Sequence, residues 1–196
     1  MLADCEVICQ GKAWKLHKTI LCARSSYFKS ALLSGWPESK SGKVEITEFS
    51  KTQMDSIIKY IYKGTINFKP LIKAGTIMHS CTDLWILGDY FNVPALCDDI
   101  LNFWSKDFIP RTDHIAMTEG FHIDGKDFLK TGNLIYASFP GKHVLKVAFL
   151  EVLLGRAFVR KSVINMPEFK TFCAEWPEFG SDCMMKLVEN RVCKLQ

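Results

Sequence analysis

Eight cysteines and five histidines are the side chains here best suited to bind a metal or act as nucleophile and base. The cysteines stand at 5, 9, 22, 81, 97, 173, 183 and 193. No two of them form a Cys-x-x-Cys pair, and neither Cys5/Cys9 nor Cys173/Cys183/Cys193 matches a common zinc spacing. The N-terminus carries Asp4 and Glu6 and lacks the basic-then-apolar order of a secretory leader. A chain of 196 residues also buries a core without disulfide staples. Reduced, metal-free thiols are therefore expected. His17 is the most tempting base, but a catalytic base needs a nucleophile and an orienting acid beside it. Its sequence neighbours Cys22 and Asp4 lie in no nucleophile motif, so a structural histidine is expected. His79, His114, His122 and His143 are scattered, and His122-x-Asp124 is too thin for a metal site. There is no G-x-G-x-x-G, no phosphate-binding P-loop and no G-x-S-x-G. The expectation is a protein without catalysis, cofactor or metal.

Composition narrows the partners. Hydrophobic residues make up 48% and charged residues 23%, as in an ordinary globular protein. No apolar run reaches the roughly 18 residues of a membrane helix. The most apolar stretch, Val144 to Val159, is broken by Lys146, Glu151 and Arg156. Net charge is +4, with 13 basic and 11 acidic side chains in residues 1–110 and 12 and 10 in residues 111–196. Nucleic-acid surfaces gather Lys and Arg on one face, and this mixing does not point there. Neither nucleic acid nor membrane is expected as a partner.

The elements that would carry such surfaces are readable from periodicity. Cys5, Val7 and Cys9 alternate with Asp4, Glu6 and Gln10 as in a half-buried strand. Gln10-Gly11 supplies a turn, and Lys12 to Leu16 a second strand with Trp14 and Leu16 on one face. A short helix follows over His17 to Arg24, and Ser25-Ser26 can cap the next, with Tyr27, Phe28, Ala31 and Leu32. Gly35 to Gly42 reads as a loop holding Trp36, Pro37 and Glu38. Lys43 to Thr47 alternates again, with Val44 and Ile46 inward. Ser50 opens a helix striped by Met54, Ile57, Ile58 and Ile61, which Gly64 ends. Thr65 to Phe68 is expected as a short strand. Leu84, Leu87, Gly88 and Phe91 form a helical face led in by Cys81-Thr82-Asp83, and a helix from Val93-Pro94 runs to near Pro110. After a connection over 111–125, helices are expected over Asp127–Ala137, Lys142–Lys161, Phe169–Cys173 and Ser181–Val192. Met184, Met185, Phe169, Phe172 and Phe179 are expected in the core. The reading is an α+β domain over 1–110 followed by an all-helical extension over 111–196.

This order of elements, with these residues, resembles the BTB (POZ) domain. Asp4-Cys5-Glu6-Val7, His17-Lys18-Thr19-Ile20-Leu21 and Ser25-Ser26-Tyr27-Phe28 fit the family's first strand and first helices. Ile57-Ile58-Lys59-Tyr60-Ile61-Tyr62-Lys63-Gly64 resembles its helix ending in Tyr-x-Gly. Leu84-Trp85-Ile86-Leu87-Gly88-Asp89-Tyr90-Phe91, then Val93 and Leu96, resembles a later helix and its successor, with Gly88 where Ala is usual. Pro177-Glu178-Phe179-Gly180-Ser181-Asp182 resembles the C-terminal helical extension of BTB proteins common in filamentous fungi.

The resemblance implies an intracellular interaction module, in cytoplasm or nucleus, that dimerises and serves as a substrate adaptor for a cullin-3 ubiquitin ligase. The alternative it implies is a dimerising scaffold linked to transcription regulation, without cullin. Adaptors of this family often carry a hydrophobic-x-Glu motif in the loop after the second helix, which maps here onto Trp36 and Glu38. Trp36 is accordingly expected to be at least partly exposed. Tyr62 holds the Tyr-x-Gly position near the same implied cullin contact, and Asp4 and Lys18 match a charged pair beside the dimer surface. Firm dimers of the family often have a helix before the first strand, whereas only Met1, Leu2 and Ala3 stand before Asp4. This departure counts against the homodimer expectation, or else the natural chain begins upstream of Met1. Without a kelch, zinc-finger or MATH-like segment in this sequence, substrate reading would fall to residues 111–196 or to another protein.

Overall fold

The computed structural model describes residues 2–73, 76–108 and 123–192. They cluster into two compact units, one of Met1–Asn67 with Asp83–Ile100, the other of Phe68–Thr82 with Leu101–Gln196.

In the first unit, strands β1 (Cys5–Cys9), β2 (Lys12–Leu16) and β3 (Lys43–Ile46) form one sheet of order β2-β1-β3. The β1–β2 hairpin turns on Gln10 and Gly11, both at positive φ (48° and 78°). A two-residue turn of this kind matches the right-handed twist of the strands it joins. β1 pairs antiparallel with β2 and parallel with β3, so that Val7 sits opposite both Trp14 and Val44. Period-2 alternation sends Cys5, Val7, Cys9, Val44 and Ile46 to the covered face, as the sequence predicts.

Helices α1 (Lys18–Arg24), α2 (Ser26–Leu33) and α4 (Lys51–Lys63) belong to this unit. Ser50 and Gln53 form a reciprocal capping box at the start of α4, and Gly64 ends it in the left-handed region at φ 71°. Ser25 does two things. Its Oγ accepts from Phe28 N at the start of α2 (3.2 Å) and donates to the carbonyl of Phe91 (2.5 Å). Ser26 N donates to Asn92 O beside it (3.4 Å), and the Phe28 and Phe91 rings stack with centroids 5.3 Å apart. This latch closes the chain onto itself across 66 residues.

Two expectations are corrected here. Residues 35–42 are not wholly loop: Pro37–Ser41 forms a short helix, α3, opened by Trp36 and closed by Gly42 at φ 68°. Proline is pre-set for a first helical position and glycine for the left-handed exit, so this turn was present in the residue types. Thr65 to Phe68 is not a strand; the three-stranded sheet does not include it. Those residues lead instead into α5 (Lys69–Lys73).

The next helices also run differently from the sequence reading. α6 (Ile77–Tyr90) begins four residues before Cys81, which lies inside it. The Asp127 carboxylate accepts from Met78 N and His79 N (3.0 Å each) at its first turn. That cap comes from 48 and 49 residues away, beyond any local capping signal. α7 (Pro94–Asn102) passes into a π-helical turn over Phe103–Phe108, where Phe103 stacks on Phe68 at 3.9 Å.

The second unit holds α8 (Gly125–Ser138), α9 (Val144–Leu154), α10 (Ala157–Ile164), α11 (Pro167–Glu175) and α12 (Pro177–Val192). Its core is aromatic: Phe128, Phe149, Phe172 and Phe179 are fully buried, with neighbouring centroids 4.8 to 6.3 Å apart. The single helix expected over Lys142–Lys161 breaks at Gly155 and Arg156, where Arg156 is extended (φ −110°, ψ 137°). Arg160 and Asn190 side chains donate to the Leu154 carbonyl that the break frees. Phe169, Phe172 and Phe179 are core residues as expected, but Met184 and Met185 are exposed, at 64% and 61%. α12 turns Phe179 and Cys183, four residues apart, inward, and the two methionines follow on its outer side. Lys146 is buried instead, its ammonium 2.7 Å from Glu178 and over the Tyr136 ring. The connection expected over 111–125 lies largely outside the described residues, as do His114, His122 and Cys193.

Candidate functional site

Trp36 is 64% exposed, a large apolar side chain left in solvent. Local hydrogen bonds fix its position. Its carbonyl accepts both Ser39 N (2.9 Å) and Ser39 Oγ (2.7 Å), and the carbonyl of Glu38 accepts Gly42 N (2.8 Å). A helix of five residues would be marginal alone. Here the proline start, the serine bonds and the glycine exit hold Trp36 and Glu38 two residues apart on a fixed frame.

Trp36 and Glu38 line one groove of about 460 Å³, together with Tyr27, Val44, Glu45 and Tyr90. The Tyr27 and Tyr90 rings lie 5.5 Å apart, and Phe49 meets Tyr90 edge-on at 4.8 Å. Behind them Phe28 and Phe91 are fully buried, so the tyrosines form the outer layer of an aromatic core. Burial, then the neighbouring Tyr90, pushes the Tyr27 hydroxyl up to about 12. The Tyr90 hydroxyl is pushed up by burial and by the Glu48 carboxylate. Both hydroxyls are neutral at physiological pH. The groove therefore offers aromatic faces, two hydroxyls and a rim of Glu38 and Glu45, which suits a partner bringing an apolar side chain flanked by positive charge. Sequence reasoning named Trp36 and Glu38. It missed Tyr90 and treated Tyr27 as helix packing, because nothing local places residue 90 beside residue 27.

The remaining predicted residues gather elsewhere. Tyr62 is not among the residues lining this groove; its hydroxyl lies 2.9 Å from both His17 N and His17 Nδ1. The His17 backbone N–H donates to that oxygen and the ring nitrogen Nδ1 meets it as well, so Tyr62 holds both the backbone and the ring of His17 at the start of α1. Asp4 accepts from Lys18 N (2.7 Å), its carboxylate serving the first amide of α1. Asp4 thus meets Lys18 through the Lys18 backbone N–H. Next to it, burial and then Asp4 push the Cys5 thiol up to about 11, with Lys18 opposing. Cys5, Cys9, Cys22, Cys81, Cys97, Cys173 and Cys183 are all free thiols. Among the described residues no cluster of His, Cys, Asp or Glu could hold a metal, and no helix is long and apolar enough to cross a membrane.

A small mixed sheet under short helices, bearing an aromatic groove with an exposed tryptophan at its rim, defines a protein-interaction domain. Residues 1–107 match the family model for the BTB/POZ domain, and the chain belongs to that family. It is 26% identical over 106 residues to Kelch-like protein 40b of Danio rerio, a match covering 54% of this chain and 16% of that protein. It is 27% identical over 131 residues to Kelch-like protein 8 of Caenorhabditis elegans, covering 55% and 19%. It is 36% identical over 69 residues to Leucine-zipper-like transcriptional regulator 1 of Mus musculus, covering 34% and 8%. The matched part thus spans less than a fifth of the length of these relatives.

Proposed function

We propose that this chain is a non-catalytic adaptor that presents Trp36 and Glu38 to a cullin-3 ubiquitin ligase, in the cytoplasm or nucleus. The observation that carries this reading is the solvent-exposed Trp36 held beside Glu38 at the rim of an aromatic groove. A tryptophan in water is an unusual expense for a free domain, and tryptophans are enriched among the residues that dominate binding energy at interfaces. Glu38 supplies the acid of the hydrophobic-x-Glu pattern from the adjoining turn. In this reading Tyr62 acts through His17, fixing the entry to α1, and Asp4 and Lys18 belong to the surface through which two copies meet.

The test is calorimetric titration of the full chain with the N-terminal region of cullin-3, with light scattering for mass. Binding that weakens at least tenfold in Trp36→Ala supports the adaptor. A second reading, a dimerising scaffold without cullin, is favoured by two other exposed leucines, Leu2 before β1 and Leu33 at the end of α2 (93% and 60%). No titration signal at high micromolar concentration, with a mass twice that of one chain, would select it.

A further inference from the structure

The second unit contains a pair of cysteines that the interaction surface does not use. Cys173 lies on α11 and Cys183 on α12, ten residues apart in sequence and joined through Trp176. The two helices are pressed together at this point. Phe172, next to Cys173, and Phe179, one turn before Cys183, meet with centroids 4.8 Å apart. A Cβ on Gly180 would sit 3.7 Å from the Cys173 carbonyl, an ordinary contact distance. Gly180 and Cys183, three residues apart on one helix, share a face, so Cys183 follows Gly180 toward Cys173. The two thiols are near enough to act on each other's charge, Cys173 adding to the upward push that burial gives the Cys183 thiol. Cys183 is buried, and Cys173 is partly exposed to solvent.

We propose that Cys173 and Cys183 are a redox-sensitive pair that closes to a disulfide, clamping α11 to α12, when a small-molecule disulfide such as oxidised glutathione is in excess. Cys173, the accessible member, loses its proton and attacks one sulfur of the small disulfide. That S–S bond breaks, and the departing thiolate takes up the proton. Cys183, deprotonated in turn, attacks the Cys173 sulfur and expels the second small thiolate, which takes up the second proton. The protein pair gives up two electrons and two protons, and the small disulfide becomes two thiols. Burial pushes both protein thiols up, so thiolate is scarce near neutral pH and the pair rests reduced until oxidant is abundant. Once closed, the short covalent loop restricts the unfolded chain and stabilises the helical pair.

The test uses the full chain equilibrated with oxidised and reduced glutathione at a series of ratios, alkylated and mapped. Trypsin leaves both cysteines in one peptide, residues 171–186, and a glutamate-specific protease cuts between them after Glu175 and Glu178. On the oxidising side this peptide should lose two hydrogen atoms, and its fragments should stay joined until a reductant is added. The melting temperature of the oxidised wild type should rise, with no rise in Cys173→Ser. In Cys183→Ser, Cys173 should stop at the mixed disulfide and carry one glutathione. Both thiols remaining alkylatable, a link to a different cysteine, or closure without a rise in melting temperature would each overturn the proposal. Peptide mapping of the wild type decides the pairing even where a serine variant fails to fold.

Discussion

Trp36 and Tyr62 are both aromatic residues in the first unit, and their surroundings assign them opposite costs. Trp36 makes its local hydrogen bonds through its backbone and leaves its ring in water. Trp36→Ala should shift unfolding free energy by only about 0.5 kcal/mol, as surface substitutions do. A loss of about 3 kcal/mol or more in urea unfolding would mean that the ring is structural. Tyr62 works the other way. Its hydroxyl accepts the His17 N–H at the junction of β2 and α1, where the backbone leaves the sheet. Tyr62→Phe keeps the ring and strands that donor, so it should cost about 1–3 kcal/mol. An unchanged denaturation midpoint would show that water replaces the hydroxyl. Chemical identity alone could not separate these two residues. The sequence gives each a place in a family pattern, but exposure is decided by which elements pack over the side chain.

At the scale of elements, legibility followed the range of the signal. The β1–β2 hairpin and α4 were readable because their determinants are local: alternation, a two-residue turn, a capping box and a terminal glycine. The start of α6 was not, because its capping acceptor is Asp127 on another helix. The break after α9 was obscured because Val144 to Leu154 is apolar nearly all round, which hides where one face ends. The outward turn of Met184 and Met185 depended on α12 seating Phe179 and Cys183 first. Gly132 shows how tightly such seating is set. A Cβ there would lie 2.7 Å and 2.9 Å from ring carbons of Phe172, in the fully buried heart of the second unit. Alanine would gain up to about 1 kcal/mol of helix propensity. Forcing a methyl into a packed ring costs about 1–3 kcal/mol. Gly132→Ala should therefore be net destabilising, by about 1–2 kcal/mol, with a lower melting temperature. Combined with Phe172→Leu, which opens space at the ring edge, part of that loss should be recovered.

At the scale of the whole chain, the family match and the packing do not divide the sequence in the same place. The match runs continuously over residues 1–107, while Phe68–Thr82 clusters with the residues after Leu101. Ile77, Met78 and Cys81 are buried in that setting, and the first turn of α6 is capped by Asp127. A chain cut after Phe108 would keep the matched segment and lose Asp127 with all of α8 to α12. Exposing Ile77 and Met78 alone forfeits about 1.5–3 kcal/mol each. The shortened chain should melt lower than the full chain and bind a hydrophobic dye more strongly in its folded state. Equal melting temperatures and equal dye binding would show that the matched segment is self-sufficient.

The latch between Ser25–Ser26 and Phe91–Asn92 bears on how the protein is made. On a ribosome the chain emerges from its N-terminus at roughly 5–20 residues per second. β1 and β2 can pair with each other as soon as Leu16 is out. Ser25 then waits for a carbonyl 66 residues later, a delay on the order of 3–13 s. Through that interval Phe28 lacks the Phe91 ring that stacks on it, and the nascent chain displays an unfilled aromatic seat. Chaperone engagement during synthesis should therefore peak before residue 91 leaves the exit tunnel and fall once the latch has closed.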